Sequence, residues 1–157
     1  MDLLLWRHAE AADGKPDLAR PLTPHGREQA RAIAGWLRSR LPAGCRILVS
    51  PARRAQETAE ALGLPFESMF EVAPDATPKA LIAAANWPDS KQAVLIVGHQ
   101  PTLGEAAAIL LGAPGREMPV RKGAVLWLKS PHRKVRDAGS LVAVMEPSML
   151  TPQREQG

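Results

Sequence analysis

Tyrosine is absent from the chain, and phenylalanine occurs only at Phe66 and Phe70. Proteins that grip single-stranded nucleic acid stack bases on aromatic platforms, which are hard to build from this inventory. The single cysteine, Cys45, can form no internal disulfide and no thiolate zinc cluster. Neither sulfur nor structural zinc therefore staples the fold, and a reducing compartment fits. Long apolar runs are missing as well: stretches such as Ala93 to Val97 and Ala106 to Leu111 fall far short of the roughly 18 residues a membrane span needs. The opening Met1-Asp2-Leu3 lacks a basic flank and its apolar run stops at Trp6, so no secretory signal is expected and a cytoplasmic location is. No internal repeat, HExxH motif or P-loop glycine pattern occurs, and the four histidines lie far apart, so no metal and no cofactor is expected.

What is present suits one globular domain. A chain of 157 residues, 45% hydrophobic, can bury one core but hardly two. Its net charge of +4 favours anionic partners, without choosing among nucleic acid, phosphoproteins, phosphorylated metabolites and an acidic membrane surface. The densest basic run, Lys129 to Arg136, lies between two strand-like segments and reads as a solvated hairpin tip.

Short apolar runs alternate with amphipathic ones, which predicts a single-domain α/β three-layer sandwich, its central sheet mostly parallel with an antiparallel edge hairpin. Leu3 to Trp6, Arg46 to Val49 and Ala93 to Val97 read as buried strands. Thr23-Pro24 caps a helix whose apolar face is Ala30, Ile33, Ala34, Leu37 and Leu41. Ser50-Pro51 repeats that signature and is expected to cap a helix running to about Leu62. Residues 63–76 stay open between loop and short strand. Pro78 to Ala85 and Pro101 to Leu111 read as helices, and Ala124 to Leu128 with Leu141 to Met145 as the hairpin. The domain is expected over residues 1–147, with 148–157 a loose, flexible tail.

Ligands of open α/β sheets collect at the carboxyl ends of the parallel strands. The first strand delivers Arg7 and His8 there, the second leads through Ser50-Pro51 to Arg53 and Arg54, and the third delivers Gly98 and His99. Two imidazoles, guanidinium forks and helix N-termini meeting on one edge suit a phosphoryl group. A neutral histidine beside bound phosphate can attack phosphorus, while arginines stabilise the charge on the equatorial oxygens. Taken singly, Arg53 and His25 read as surface residues, Ser50 as a cap, and Gly98 as a turn residue.

These residues resemble the histidine phosphatase superfamily, whose phosphoglycerate-mutase-like members end the first strand in R-H-G. Arg7-His8-Ala9-Glu10 matches with alanine in place of glycine, a methyl expected to crowd the phosphate loop slightly. Ser50-Pro51-Ala52-Arg53-Arg54-Ala55-Gln56-Glu57-Thr58-Ala59 is similar to the family's S-P-x-x-R-A-x-Q-T-A and assigns the phosphate arginine to Arg54. Glu57 stands where the family has glutamine, which bears on a helix-face contact. Val97-Gly98-His99 resembles the second histidine site, and the resemblance implies that His99 hydrogen-bonds a phosphoryl oxygen. The short chain and Arg20-Pro21-Leu22-Thr23 resemble the SixA-type phosphohistidine phosphatase branch, which makes Arg20 a secondary phosphate-binding candidate. The resemblance runs from about Leu3 to Leu111.

The resemblance implies a metal-independent phosphatase with His8 as nucleophile and Arg7, Arg54 and His99 around the phosphoryl group. Larger relatives use a carboxylate to protonate a leaving alcohol, but neither Glu10 nor Glu105 sits where a motif demands one. The imidazole of phosphohistidine leaves more readily than an alkoxide, so phosphohistidine on a signalling protein, such as a histidine-phosphotransfer domain, is the expected substrate. A small phosphorylated metabolite, a non-catalytic phospho-recognition module and a nucleic-acid binder using Lys129 to Arg136 are the alternatives. A membrane partner is not expected.

Overall fold

A computed structural model describes residues 1–131 and 138–150. Six strands form one sheet: β1 (Asp2–Arg7), β2 (Arg46–Val49), β3 (Glu67–Ser68), β4 (Val94–Gly98), β5 (Val125–Lys129) and β6 (Ser140–Met145). They lie in the order β3-β2-β4-β1-β5-β6. β3, β2, β4 and β1 run parallel, while β5 pairs antiparallel with β1 and with the edge strand β6. The expected mostly parallel sheet with an antiparallel edge hairpin is thus observed. The hairpin's connection, which holds most of the basic run Lys129 to Arg136, lies largely outside the described residues, as do residues 151–157 of the expected tail.

Both faces of the central strands are apolar, and the strand's period of two divides their side chains between two cores. Leu3, Leu5, Leu48, Val94 and Ile96 pack toward α3 (Pro78–Ala84) and α4 (Thr102–Leu110), through Leu81, Leu103, Ala106 and Leu110. Leu4, Trp6, Val49, Leu95 and Val97 pack toward α1 (Pro24–Arg38) and α2 (Arg53–Glu60), through Ile33, Ala34, Leu37, Ala55 and Ala59. Helices on both faces make the three layers. Each fully buried leucine or isoleucine contributes about 1.5–3 kcal/mol relative to exposure, which is why the strands end where the apolar runs end.

Helix α1 starts as its sequence dictates: the Thr23 hydroxyl accepts the Gly26 N–H at 2.9 Å, and Pro24 opens the first turn. A Cβ on Gly26 would fall 2.0 Å from the Glu10 carbonyl oxygen, so glycine alone lets this helix end press against the loop that follows β1.

Helix α2 differs from expectation. It starts at Arg53 with Ala52 in the N-cap position, and Ser50 is not its cap. The Ser50 hydroxyl takes the Ala52 N–H at 3.1 Å but also lies 2.7 Å from His99 Nε2, so the serine belongs to a tertiary contact and the helix begins beyond it. The open segment resolves into the two-residue strand β3 and a 3-10 turn at Phe70–Val72.

Candidate active site

The parallel register sets Arg7 opposite Gly98 and Val49 opposite Val97, so β1, β2 and β4 end level with one another. His8, the residue after β1, is held on both sides: its N–H donates to Gly98 O at 3.0 Å, and its carbonyl accepts the Gly123 N–H at 3.1 Å. His8 Nδ1 lies 2.7 Å from the Ala9 carbonyl. A carbonyl only accepts, so Nδ1 carries the proton and Nε2 of the neutral ring keeps its lone pair. The His8 and His99 rings lie 5.1 Å apart by centroid, tilted by 53°.

His99 has Ser50 Oγ 2.7 Å from Nε2 and Arg54 Nη2 3.5 Å from Nδ1. A guanidinium only donates, which leaves Nδ1 as acceptor and puts the proton of a neutral ring on Nε2, donated to Ser50. Burial lowers both imidazole pKa values. His8 falls to about 4, helped by Arg54, Arg7 and Arg20 and opposed by the bond to Ala9. His99 falls to about 3, helped by His8 and Arg54. Both rings are neutral at neutral pH.

The guanidiniums of half-buried Arg7 and buried Arg54 are anchored alike. Arg7 Nη1 donates to Val120 O at 2.9 Å, and Arg54 Nη1 donates to Asp17 O at 2.9 Å. The Nε–H of each is buried without a partner among the described residues. An unsatisfied buried donor costs roughly 1–3 kcal/mol, so the packing around the two arginines carries an uncompensated polar cost. Desolvation by burial lowers the Arg7 pKa, against the attraction of Glu117.

Arg7, His8, Arg20, Arg54 and His99 all line one cavity of ≈ 700 Å³, so the predicted site residues are brought together. Arg20 enters it from the 3-10 turn Asp17–Ala19, with Nε on Ala12 O at 2.8 Å and Nη1 on Asp17 Oδ1 at 3.1 Å. Arg53 and His25 are exposed, as expected. Of the two carboxylates considered, Glu105 lines the cavity, whereas Glu10 accepts the Thr23 hydroxyl at 2.7 Å and lies outside it.

Motif departures find physical partners. The Ala9 methyl packs against Leu22 and Ala30 instead of crowding the cavity, while Ala9 N–H donates to Thr58 Oγ1 at 3.0 Å. Glu57 accepts the Leu22 N–H at 3.0 Å and so ties α2 to the segment after Arg20. Sequence reasoning missed Asp17, Asp75 and Lys122, all lining the cavity. Asp75 holds a left-handed φ of 67°. The one available signal was Asp17, spaced three residues before Arg20.

Residues 3–79 match the family model of the histidine phosphatase superfamily, branch 1. The phosphohistidine phosphatase SixA of Escherichia coli is 36% identical over 129 residues, covering 76% of this chain and 79% of that protein. A SixA homolog of Haemophilus influenzae is 34% identical over 145 residues, covering 81% and 88%. A solved structure of the protein histidine phosphatase SixA complexed with tungstate superposes with a TM-score of 0.74 at 30% identity, covering 96% of this chain and 100% of that one. With the R-H and R-A-x-x-T-A segments meeting in one cavity, these likenesses agree: the chain belongs to the histidine phosphatase superfamily and is a phosphatase.

Proposed function

We propose that the enzyme hydrolyses phosphohistidine on a signalling protein, in the cytoplasm, through a covalent phosphohistidine at His8. The observation that carries this reading is the 2.7 Å bond from His8 Nδ1–H to the Ala9 carbonyl, which leaves Nε2 free to act as nucleophile. Nε2 attacks phosphorus, the P–N bond to the substrate imidazole breaks, and that ring leaves with the electron pair. Water then attacks phosphorus, releasing inorganic phosphate and a proton and restoring neutral His8.

Arg7 and Arg54 line the cavity, where their guanidiniums pair with the phosphoryl oxygens through charge-assisted hydrogen bonds. His99 steadies a third oxygen from its Nδ1 side once the phosphoryl dianion supplies the field to protonate it. Arg20 adds positive charge at the rim. An imidazole protonated on its second nitrogen leaves as a neutral ring, so this chemistry makes no demand for a carboxylic acid. The named relatives SixA, described as phosphohistidine phosphatases, support the same substrate class.

The test is to trap labelled phosphate on the protein by acid quench after mixing with a phosphorylated histidine-phosphotransfer domain. Label is expected on native protein and absent from His8→Ala. Faster release from sugar phosphates or free phosphoserine than from the phosphoprotein would overturn the substrate assignment.

A further inference from the structure

The 3-10 turn Asp17–Ala19 buries none of its own residues, yet Asp17 makes three of the bonds that hold the cavity's guanidiniums. Its carbonyl accepts Arg54 Nη1 at 2.9 Å and its Oδ2 accepts Arg54 Nη2 at 3.1 Å. Its Oδ1 accepts Arg20 Nη1 at 3.1 Å. The two Asp17 oxygens hold both terminal nitrogens of Arg54, and Nη2 also reaches His99 Nδ1 at 3.5 Å, so Asp17 fixes the guanidinium against the second imidazole. The paired arginines hold the carboxyl below the ordinary aspartate range, the Arg20 hydrogen bond acting most strongly.

We propose that Asp17 is a positioning residue of the phosphoryl site: by binding both terminal nitrogens of Arg54 and bridging Arg54 to Arg20, it holds the two guanidiniums in place at the cavity wall for the substrate's phosphoryl group. The inference rests on the reading of Arg54 as a phosphoryl-binding residue. A guanidinium is a rigid planar fork, and bonds at both terminal nitrogens hold it against rotation where one bond would not. Without the Asp17 carboxylate, Arg54 keeps its charge and the carbonyl bond at Nη1 but loses the second bond, at Nη2, that fixes its fork, and the two cations lose the anion between them. Binding of the phosphoryl group then suffers more than the chemical step.

Inorganic phosphate binding to the full-length protein, measured by calorimetry, tests this together with kcat and KM on the phosphoprotein. Asp17→Ala is expected to weaken phosphate binding and raise KM by about tenfold, the loss of one charge-assisted contact, with kcat changed far less. Asp17→Asn, which keeps an acceptor for one arginine, should recover part of that loss. The melting temperature should stay put, because the turn contributes no buried residue. In an Arg54→Ala background the Asp17→Ala effect should shrink, since part of what it acts through is gone. Phosphate binding to Asp17→Ala that is unchanged or tighter would overturn the proposal, the carboxylate then competing with the ligand. A tenfold loss of phosphate affinity without label trapped on His8 supports the role of Asp17 while refuting the covalent reading; trapped label with native phosphate affinity does the reverse.

Discussion

The Ser50 hydroxyl, just after β2, lies 2.7 Å from Nε2 of His99, the residue that follows β4. The same oxygen accepts the Ala52 N–H, so it is oriented by backbone and orients the imidazole in turn. This serine therefore decides which nitrogen of His99 is offered to the cavity. Ser50→Ala is expected to lower kcat/KM about tenfold, the ~1.4 kcal/mol of one lost buried hydrogen bond, while the label still forms on His8. Steady-state kinetics on the variant, with its urea midpoint as a control for folding, checks this.

Arg54 should be less replaceable than its charge suggests. Its side chain is 6% exposed and is bound at both terminal nitrogens, so lysine offers a point charge where a fork is required. Arg54→Ala is expected to lose about 2–4 kcal/mol of transition-state stabilisation, and Arg54→Lys to recover little of it. A kcat/KM for Arg54→Lys within a few-fold of native would show that charge alone suffices.

How far the sequence could be read depended on how local each cause is. Leu3 to Trp6 and Val94 to Val97 announce themselves because burial on both faces demands an unbroken apolar run, and the site residues follow at their carboxyl ends. β3 does not: its two residues, Glu67 and Ser68, are exposed and become a strand only by lying beside Leu48 and Val49. Ser50 looks like a helix cap because its partner His99 is 49 residues away. Asp17 sits in a polar stretch with no periodicity, and its partner Arg54 is 37 residues distant. Side chains that receive their meaning from the tertiary fold were the ones left unread.

Glu57 separates hydrogen bonding from charge. Its bond to the Leu22 N–H is part-buried, whereas its partners Arg27 and Arg53 are more than half exposed and contribute little. Glu57→Gln keeps an oxygen for Leu22 and should unfold at nearly the native urea concentration. Glu57→Ala leaves that N–H unsatisfied and is expected to cost about 1–3 kcal/mol. Equal stability of the two variants would mean that the Leu22 bond carries no weight.

The two depressed imidazoles set the acid behaviour of both activity and stability. His8 attacks only as the neutral ring, and its pKa of about 4 keeps it neutral well below the ordinary histidine value of 6.5. The acid limb of kcat/KM, which reports the free enzyme, is therefore expected below pH 5 instead of near 6.5. For stability, the unfolded chain binds protons at both rings from about pH 6.5 downward while the folded chain does not, so stability falls as pH drops through that window. At pH 5 the loss is about 2 kcal/mol for each ring. It ceases to grow for each ring once pH passes its folded pKa, near 4 for His8 and near 3 for His99. Urea unfolding at pH 7 and pH 5 measures this, with His99→Asn expected to remove its own share of the difference. Inorganic phosphate should lessen the loss, because an anion between the arginines favours the protonated rings. A stability that is flat from pH 7 to pH 5 would mean that burial does not hold the two rings neutral.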